Sequence, residues 1–284
     1  MANTEMSNRD GEGGGGETAA ADGEAGDGGS RYRVPALERG LDVLEVLSDV
    51  ELGMSRAGLA DSLGVSVSQI FRILDCLQRR KYITLDPRNN LFSLTSTLFE
   101  MSHRHPPTRR LVALALPIMR AAAIASRQSI HLSTFDDGEA LVLVQCETKE
   151  DSGYFVKVGT RRDVFLTASG RVLLAFQDEE ERRRRLATAV AKTPGLMTEA
   201  DYLRRLEIVR MQGFEEMPSL QILGVHNLSY PVFDPGGHAI AAMTLPFLVR
   251  SDVSSTIEDA RAALRDAAEE LSRALGYGGK VGGS

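Results

Sequence analysis

Hydrophobic residues near the start of the chain recur with helical spacing. Four leucines lie three or four residues apart: Leu37, Leu41, Leu44 and Leu47. This spacing predicts a helix that buries one face. A second, shorter helix is predicted next, with Ser55 as its N-cap and with Leu59 and Leu63 facing inward. Gly64 follows it, and a glycine in the left-handed conformation would end that helix.

The third predicted helix covers residues 66–81 and has two unlike faces. Its apolar face is formed by Val67, Ile70, Ile73, Leu74 and Leu77. Its opposite face carries Ser68, Arg72, Asp75 and Arg79. Residues 82–94 then predict a strand, a turn at residues 86–90 and a second strand. Two helices, a glycine turn, a basic helix and a hairpin in this order predict a winged helix-turn-helix.

The polar face of the third helix has side chains that suit DNA. A hydroxyl, an amide and an arginine in the first two turns are the groups that reach base edges in a major groove. The residues expected to contact DNA are Arg31, Arg33, Arg39, Ser66, Ser68, Gln69, Phe71, Arg72 and Arg88. The alternative is a three-helix module that binds protein and whose arginines are merely solvated.

The charge of the chain is unevenly distributed. The formal net charge is -6, and residues 1–30 hold seven acids and one base, so the remainder balances at zero. This glycine-rich acidic stretch predicts a disordered tail, and the acidity does not lie on the DNA-binding face. Only two cysteines occur, Cys76 and Cys146. They exclude a disulfide framework, each is expected to be buried, and a cytoplasmic location without a membrane span is expected.

A chain of 284 residues suits about two domains. Residues 31–95 are expected to form the first, and residues 96–107 a linker helix that Pro106 and Pro107 end. Residues 108–278 predict a helix that contains Pro117, two β-hairpins, a strand at 153–160, a loop at 161–169 and a C-terminal helix that ends at Gly276. Residues 279–284 are expected to be a second disordered tail. The fold class is therefore α+β, with an antiparallel sheet in the second domain.

Four stretches together resemble the IclR family of bacterial transcriptional regulators. They are "ALERGLDVLEVL", "MSRAGLADSLGVSVSQIFRILDCLQRRKYI", "LTASGRVLLAF" and "LSYPVFDPGGHAIAAMTLP", and the resemblance covers residues 34–278. It implies a winged helix-turn-helix that a linker helix joins to a GAF-like effector-binding domain. It also implies a homodimer that pairs through the DNA-binding domains, or a dimer of such dimers, with double-stranded operator DNA and a small effector as partners.

The segment "TASGR" places small residues directly before a helix. The backbone N–H groups there suit a carboxylate, although the small residues also suit close packing of the helix on the sheet. The resemblance implies an effector pocket formed by Tyr154, Ala168, Ser169, Met217, Asn227 and Thr244. Polar side chains that depart from the family pattern add His226, and Arg161 or Arg162 as a partner for a carboxylate.

These departures favour an aromatic or otherwise bulky organic acid as the effector. Binding of that acid is expected to change operator affinity by linkage. A catalytic domain is the rival interpretation, but no Gly-x-Ser-x-Gly, Gly-rich phosphate loop with lysine or His-Glu-x-x-His occurs. We therefore predict a regulator that is not an enzyme and that needs no cofactor or metal. A DNA-binding protein whose second domain binds no ligand stays open.

Overall fold

The computed structural model describes residues 34–104, 106–192, 195, 198–249, 251 and 255–279. The chain divides into two compact units between Leu98 and Phe99. The predicted tail at residues 1–30, together with Arg31 and Arg33, lies outside the described residues.

The first unit consists of three helices and a small antiparallel sheet. Its elements are α1 (Pro35–Ser48), β1 (Met54–Ser55), α2 (Arg56–Ser62), α3 (Val67–Arg79), β2 (Ile83–Asp86) and β3 (Leu91–Leu94). The strands pair in the order β1-β3-β2. The hairpin β2–β3 is the predicted wing, and the predicted helix-turn-helix is confirmed.

The turn between α2 and α3 follows from local sequence rules. Ser55 is the predicted N-cap of α2, and its hydroxyl accepts the Gly58 N–H at 3.1 Å. Gly64 has φ +61, the left-handed conformation that other residues adopt at a cost. A capping box then starts α3, because Ser66 and Gln69 each bond the other's backbone N–H.

The buried face of α1 differs from the prediction. Gly40, Val43 and Leu47 are buried, whereas Leu37 and Leu41 are 61% and 51% exposed. The helix carries apolar residues on two adjacent faces, and the core contacts only one of them. Two further burial expectations in α3 are wrong: Val67 lies in its exposed first turn, and Cys76 lies on its solvent side.

The second unit begins within the linker helix. Its elements are α4 (Thr97–Arg104), α5 (Pro106–Ser126), β4 (Ile130–Asp136), β5 (Glu139–Cys146), β6 (Arg161–Asp163), α6 (Ala168–Ala175), α7 (Glu179–Lys192), α8 (Glu199–Gln212), β7 (Glu215–Pro218), β8 (Val225–Phe233), β9 (Ala239–Leu248) and α9 (Ile257–Ala274). Pro106 and Pro107 form the first turn of α5, where the missing N–H groups are not needed. The helix therefore starts two residues before the predicted start at Thr108.

Six antiparallel strands form the sheet of this unit in the order β6-β5-β4-β9-β8-β7. The hairpins β4–β5 and β8–β9 are the two that the sequence predicts. Helices α5 and α9 pack on one face of the sheet, and α6 packs on the other with α7 and α8 behind it. The predicted α+β fold is confirmed, while β7, α7 and α8 have no counterpart in the prediction.

Residues 153–160 do not form the predicted strand. Only residues 161–163, predicted as loop, form the edge strand β6, which pairs with residues 139–141 of β5. Gly159 has φ +83, which interrupts an extended run before β6 begins. The side chains of Tyr154 and Val156 instead face a cavity on the α6 side of the sheet.

Candidate DNA-binding surface and effector cavity

The exposed face of α3 is continuous and polar. Ser68, Gln69, Phe71 and Arg72 are all exposed in its first two turns. The capping box occupies the Ser66 hydroxyl and the Gln69 carbonyl oxygen, which bond backbone N–H groups at 3.3 and 3.1 Å. The Ser66 hydroxyl also lies 3.0 Å from that of Ser68. These polar side chains are therefore held in place on the surface before any ligand arrives.

The basic side chains of the first unit differ in how they are engaged. Arg79 pairs with Asp75 at 3.0 Å on the same helix. Within the part of the chain that the structure describes, Arg72 forms no ion pair, so its guanidinium is available to a ligand. Arg88 is exposed in the turn of the wing, and Arg39 is half-buried on α1.

Sequence reasoning missed one arginine at this surface. Arg56, the first residue of α2, places its guanidinium 5.0 Å from the ring centroid of Phe71 on α3. This cation–π contact orients the exposed Phe71 ring and joins the two helices of the motif. No local pattern signals the pair, because the two residues are fifteen positions apart in the chain.

The second unit contains a cavity of about 50 Å³. Side chains of the neighbouring strands β6, β5, β4, β9 and β8 form its floor. Tyr154, Val156 and residues 166–169 and 219–221 cover it. The lining residues are His131, Ser133, Ala140, Val142, Tyr154, Val156, Arg162, Leu166, Thr167, Ala168, Ser169, Ser219, Leu220, Gln221, Asn227 and Thr244.

Helix α6 begins at this cavity. Thr167 is its N-cap, and its hydroxyl accepts the Gly170 N–H at 3.2 Å. Ala168 and Ser169, expected in a loop, are the first two helical residues, whose N–H groups have no partner inside a helix. A Cβ on Gly170 would lie 2.2 Å from the Val164 Cα, so only glycine permits this close packing. The "TASGR" segment therefore packs α6 closely on Val164 and places Ala168 and Ser169 at the cavity.

The two candidate arginines of β6 have different environments. Arg161 pairs with Asp136 and lies 3.6 Å from a carboxylate oxygen of Glu139, outside the cavity. Arg162 is half-buried and lines the cavity, and no described carboxylate pairs with it. Alternation along a strand explains the split, since neighbouring residues point to opposite faces.

His131 lies on β4 at the floor of the cavity. Burial, followed by the nearby positive charge of Arg162, lowers the pKa of His131 to about 4. The imidazole is therefore neutral at physiological pH and offers one donor and one acceptor. Among the described residues that line the cavity, Arg162 is then the one that carries a full charge.

Six of the predicted effector residues meet at the cavity: Tyr154, Arg162, Ala168, Ser169, Asn227 and Thr244. His226 does not, because it points to the face of β8 opposite Asn227 and is exposed. Met217 is the register partner of Asn227 on β7 and is buried, but it does not line the cavity. His131, Ser133 and residues 219–221 line it without having been predicted.

In the part of the chain that the structure describes, no helix is long and apolar enough to cross a membrane, and no three His, Cys, Asp or Glu side chains form a group that could hold a metal ion.

Comparison with known proteins decides the family. Residues 36–87 match the model of the IclR helix-turn-helix domain, and residues 107–273 match that of the bacterial transcriptional regulator IclR C-terminal domain. The chain belongs to the IclR family. It is an IclR-type transcriptional regulator with a helix-turn-helix DNA-binding domain and a C-terminal effector domain.

Similar proteins extend over most of the chain. The HTH-type transcriptional regulator KdgR of Dickeya chrysanthemi is 27% identical over 239 residues, 83% of this chain and 78% of KdgR. The IclR-type regulator structure from Alicyclobacillus acidocaldarius is 26% identical with TM-score 0.67, covering 86% of this chain and 100% of that one. An IclR homologue from Microbacterium hydrocarbonoxydans, solved with 4-hydroxybenzoate, is 23% identical with TM-score 0.69, covering 84% and 98%.

Proposed function

We propose that this regulator binds operator DNA through the exposed face of α3 and the wing. Ser68, Gln69 and Arg72 would contact base edges, and Arg88 at the wing would contact phosphate or the minor groove. Arg31, Arg33 and Arg39 would add phosphate contacts. The unpaired guanidinium of Arg72 supports this assignment most directly, because an engaged arginine such as Arg79 must first give up its partner.

The effector we propose is an organic acid whose carboxylate binds at the start of α6. The first-turn N–H groups of Ala168 and Ser169 suit an anion, and Arg162 brings the matching positive charge to the same cavity. A half-buried guanidinium without a carboxylate partner is the observation that carries this proposal, because burial of a charge is unfavourable unless it is paired.

The remaining lining favours an aromatic or similarly bulky acid. Tyr154, Val142 and Leu166 supply apolar and ring surfaces, while Asn227 and Thr244 supply polar groups on the other side. The relative from Microbacterium hydrocarbonoxydans, which binds 4-hydroxybenzoate, agrees with an aromatic acid in this fold. A cavity of about 50 Å³ is smaller than an aromatic ring needs, so an aromatic acid would require the covering residues 219–221 to move.

We also propose that the chain acts as a homodimer or as a dimer of dimers. The second apolar face of α1, formed by Leu37 and Leu41, is exposed in the single chain together with Val34. A partner copy that covers it would account for an apolar surface that the core leaves free. A regulator of bacterial transcription acts where the chromosome lies, so a cytoplasmic location follows from the family.

Regulation would follow from linkage between the two units. An acid that prefers one arrangement of the effector domains shifts operator affinity by its differential affinity for the two arrangements. Such a sensor needs no catalysis, cofactor or metal. An effector domain that binds no ligand is the second candidate, which the unpaired Arg162 disfavours.

Fluorescence anisotropy of the full chain with the intergenic DNA beside its own gene would test the proposal. Scrambled DNA, two salt concentrations and a panel of aromatic and aliphatic acids complete the design. We expect specific binding that at least one acid changes. Specific binding that no acid changes would leave the DNA assignment intact and refute the effector assignment.

A further inference from the structure

Two hydroxyl groups that line the cavity are bonded to the protein itself. The Thr167 hydroxyl donates to the Asp163 carbonyl at 3.0 Å while it caps α6. The Thr244 hydroxyl lies 2.8 Å from that of Ser229. Neither group therefore needs a ligand to satisfy its hydrogen bonds.

Ser133 differs from both. It is 1% exposed and lines the cavity from β4, and its Oγ atom has no hydrogen-bond partner in the described chain. A buried hydroxyl without a partner is unfavourable, and native proteins retain few of them. A ligand group that bonds this hydroxyl would remove the penalty and gain affinity.

The position of Ser133 defines which part of a ligand it would contact. Arg162 on β6 pairs with Ala140 of β5, and Ser133 on β4 pairs with Val142, two residues further along β5, so their main chains are about 12 Å apart. Both side chains line the same cavity, so one ligand can contact both. An acid held at Arg162 would therefore direct its far end at Ser133.

The charges of the lining limit what that far end can be. His131, which precedes Ser133 by two residues on β4, is neutral in this environment. A single carboxylate on the ligand would therefore balance the one positive charge of the lining, that of Arg162. A second carboxylate would be buried without a counter-ion among the described lining residues, which is strongly unfavourable. A hydroxyl can both donate and accept, so it suits the Ser133 hydroxyl and the neutral imidazole.

We propose that the effector is a monocarboxylate with a neutral hydrogen-bonding group, such as a hydroxyl, at the end remote from the carboxylate, and that Ser133 recognises this group. The inference rests on the proposed acid-sensing function. It adds a specificity-determining residue and excludes dicarboxylates from the effector class.

Calorimetric titration of the full chain would test this with matched acids. The aromatic set is benzoate, the 2-, 3- and 4-hydroxybenzoates and terephthalate, and the aliphatic pair is butyrate and 4-hydroxybutyrate. The variants are Ser133→Ala, Ser133→Cys, and Ser48→Ala as a control on the exposed surface of α1.

We expect at least one hydroxylated acid to bind wild type roughly tenfold more tightly than its parent acid, and terephthalate to bind more weakly than benzoate. Ser133→Ala should remove the preference by weakening the hydroxylated acid alone, and Ser133→Cys should keep part of it. The ligand-free Ser133→Ala variant should melt no lower than wild type, because it loses an unpaired hydroxyl.

Equal affinity of parent and hydroxylated acids for wild type would overturn the inference, as would a preference that survives in Ser133→Ala. Acid binding itself would still stand in both cases, so the proposed function would be unharmed. If none of these acids binds while Ser48→Ala behaves as wild type, both the effector assignment and this inference fail.

Discussion

The proposed DNA-binding face of α3 and the proposed effector cavity are built in opposite ways. The first comes from one continuous stretch, residues 66–72, whose side chains are exposed except that of Ile70. The second collects residues from position 131 to position 244, most of them buried or half-buried. Its floor forms only when β6, β5, β4, β9 and β8 lie side by side in this order. One surface is a property of a helix, and the other is a property of the whole second unit.

Because of this difference, substitutions in the two regions should affect ligand affinity and the free energy of unfolding differently. A side chain on the exposed face of α3 is expected to change DNA affinity and to leave unfolding almost unaffected. A residue at the cavity is expected to affect both, because the groups that face a ligand also hold α6 on the sheet. Four substitutions or conditions test the contrast.

Gly170→Ala should have the largest effect. The added Cβ would lie 2.2 Å from the Val164 Cα, so α6 must shift away from the sheet. We expect a loss of about 3 kcal/mol in the free energy of unfolding and a loss of acid binding, since Ala168 and Ser169 move with the helix. Urea unfolding and calorimetric titration of the full chain measure the two effects.

Gly278→Ala is the matched control, because a Cβ at Gly278 meets no atom within 4 Å. A Gly170→Ala variant as stable as this control would show that α6 can move freely. The cavity would then be no more constrained than the surface of α3, and the comparison would fail.

The same contrast explains what the sequence could predict. Helix α3, the turn before it, the wing and the two hairpins of the second unit depend on local periodicity and turn residues, and these predictions are confirmed. The prediction of which face of α1 is buried was wrong. Leu37 and Leu41 form a second apolar face, and periodicity cannot tell which of two apolar faces contacts the core. Ser133 was missed, because a serine in a strand acquires meaning only from the strands beside it. Likewise, spacing alone could not separate Arg161 from Arg162.

Arg72→Ala tests the exposed surface. If the guanidinium contacts a base edge, specific binding should weaken by about 1–3 kcal/mol with the free energy of unfolding unchanged. Anisotropy titrations with operator and scrambled DNA give the two affinities. Arg79→Ala is the comparison variant, since its partner Asp75 already engages that side chain. Equal weakening on both DNAs, with a salt slope lower by about one, would instead assign Arg72 to phosphate.

His131 makes the stability of the second unit depend on pH. Its pKa of about 4 lies below the ordinary value of 6.5, so the unfolded chain binds more protons between these values. The free energy of unfolding therefore does not depend on the protonation of His131 above pH 6.5. It decreases as the pH falls from 6.5 toward 4, by about 1.4 kcal/mol per pH unit at most. Urea unfolding of wild type and His131→Gln at several pH values isolates the effect. A His131→Gln profile equal to that of wild type would contradict the burial argument.

Ser66→Ala should have the smallest effect, and it probes where the two regions resemble each other. Ser66 caps α3 and Thr167 caps α6, each by accepting a backbone N–H three residues ahead. Loss of the Ser66 cap should reduce the free energy of unfolding by about 1 kcal/mol. It should also weaken DNA binding, because the Ser68 hydroxyl loses its neighbour at 3.0 Å. Substitution by aspartate restores the cap but adds a negative charge near DNA. Ser66→Asp should therefore recover stability in urea unfolding without recovering operator affinity. Recovery of both would mean that the serine acts through the helix alone and that the hydroxyl itself makes no contact with DNA.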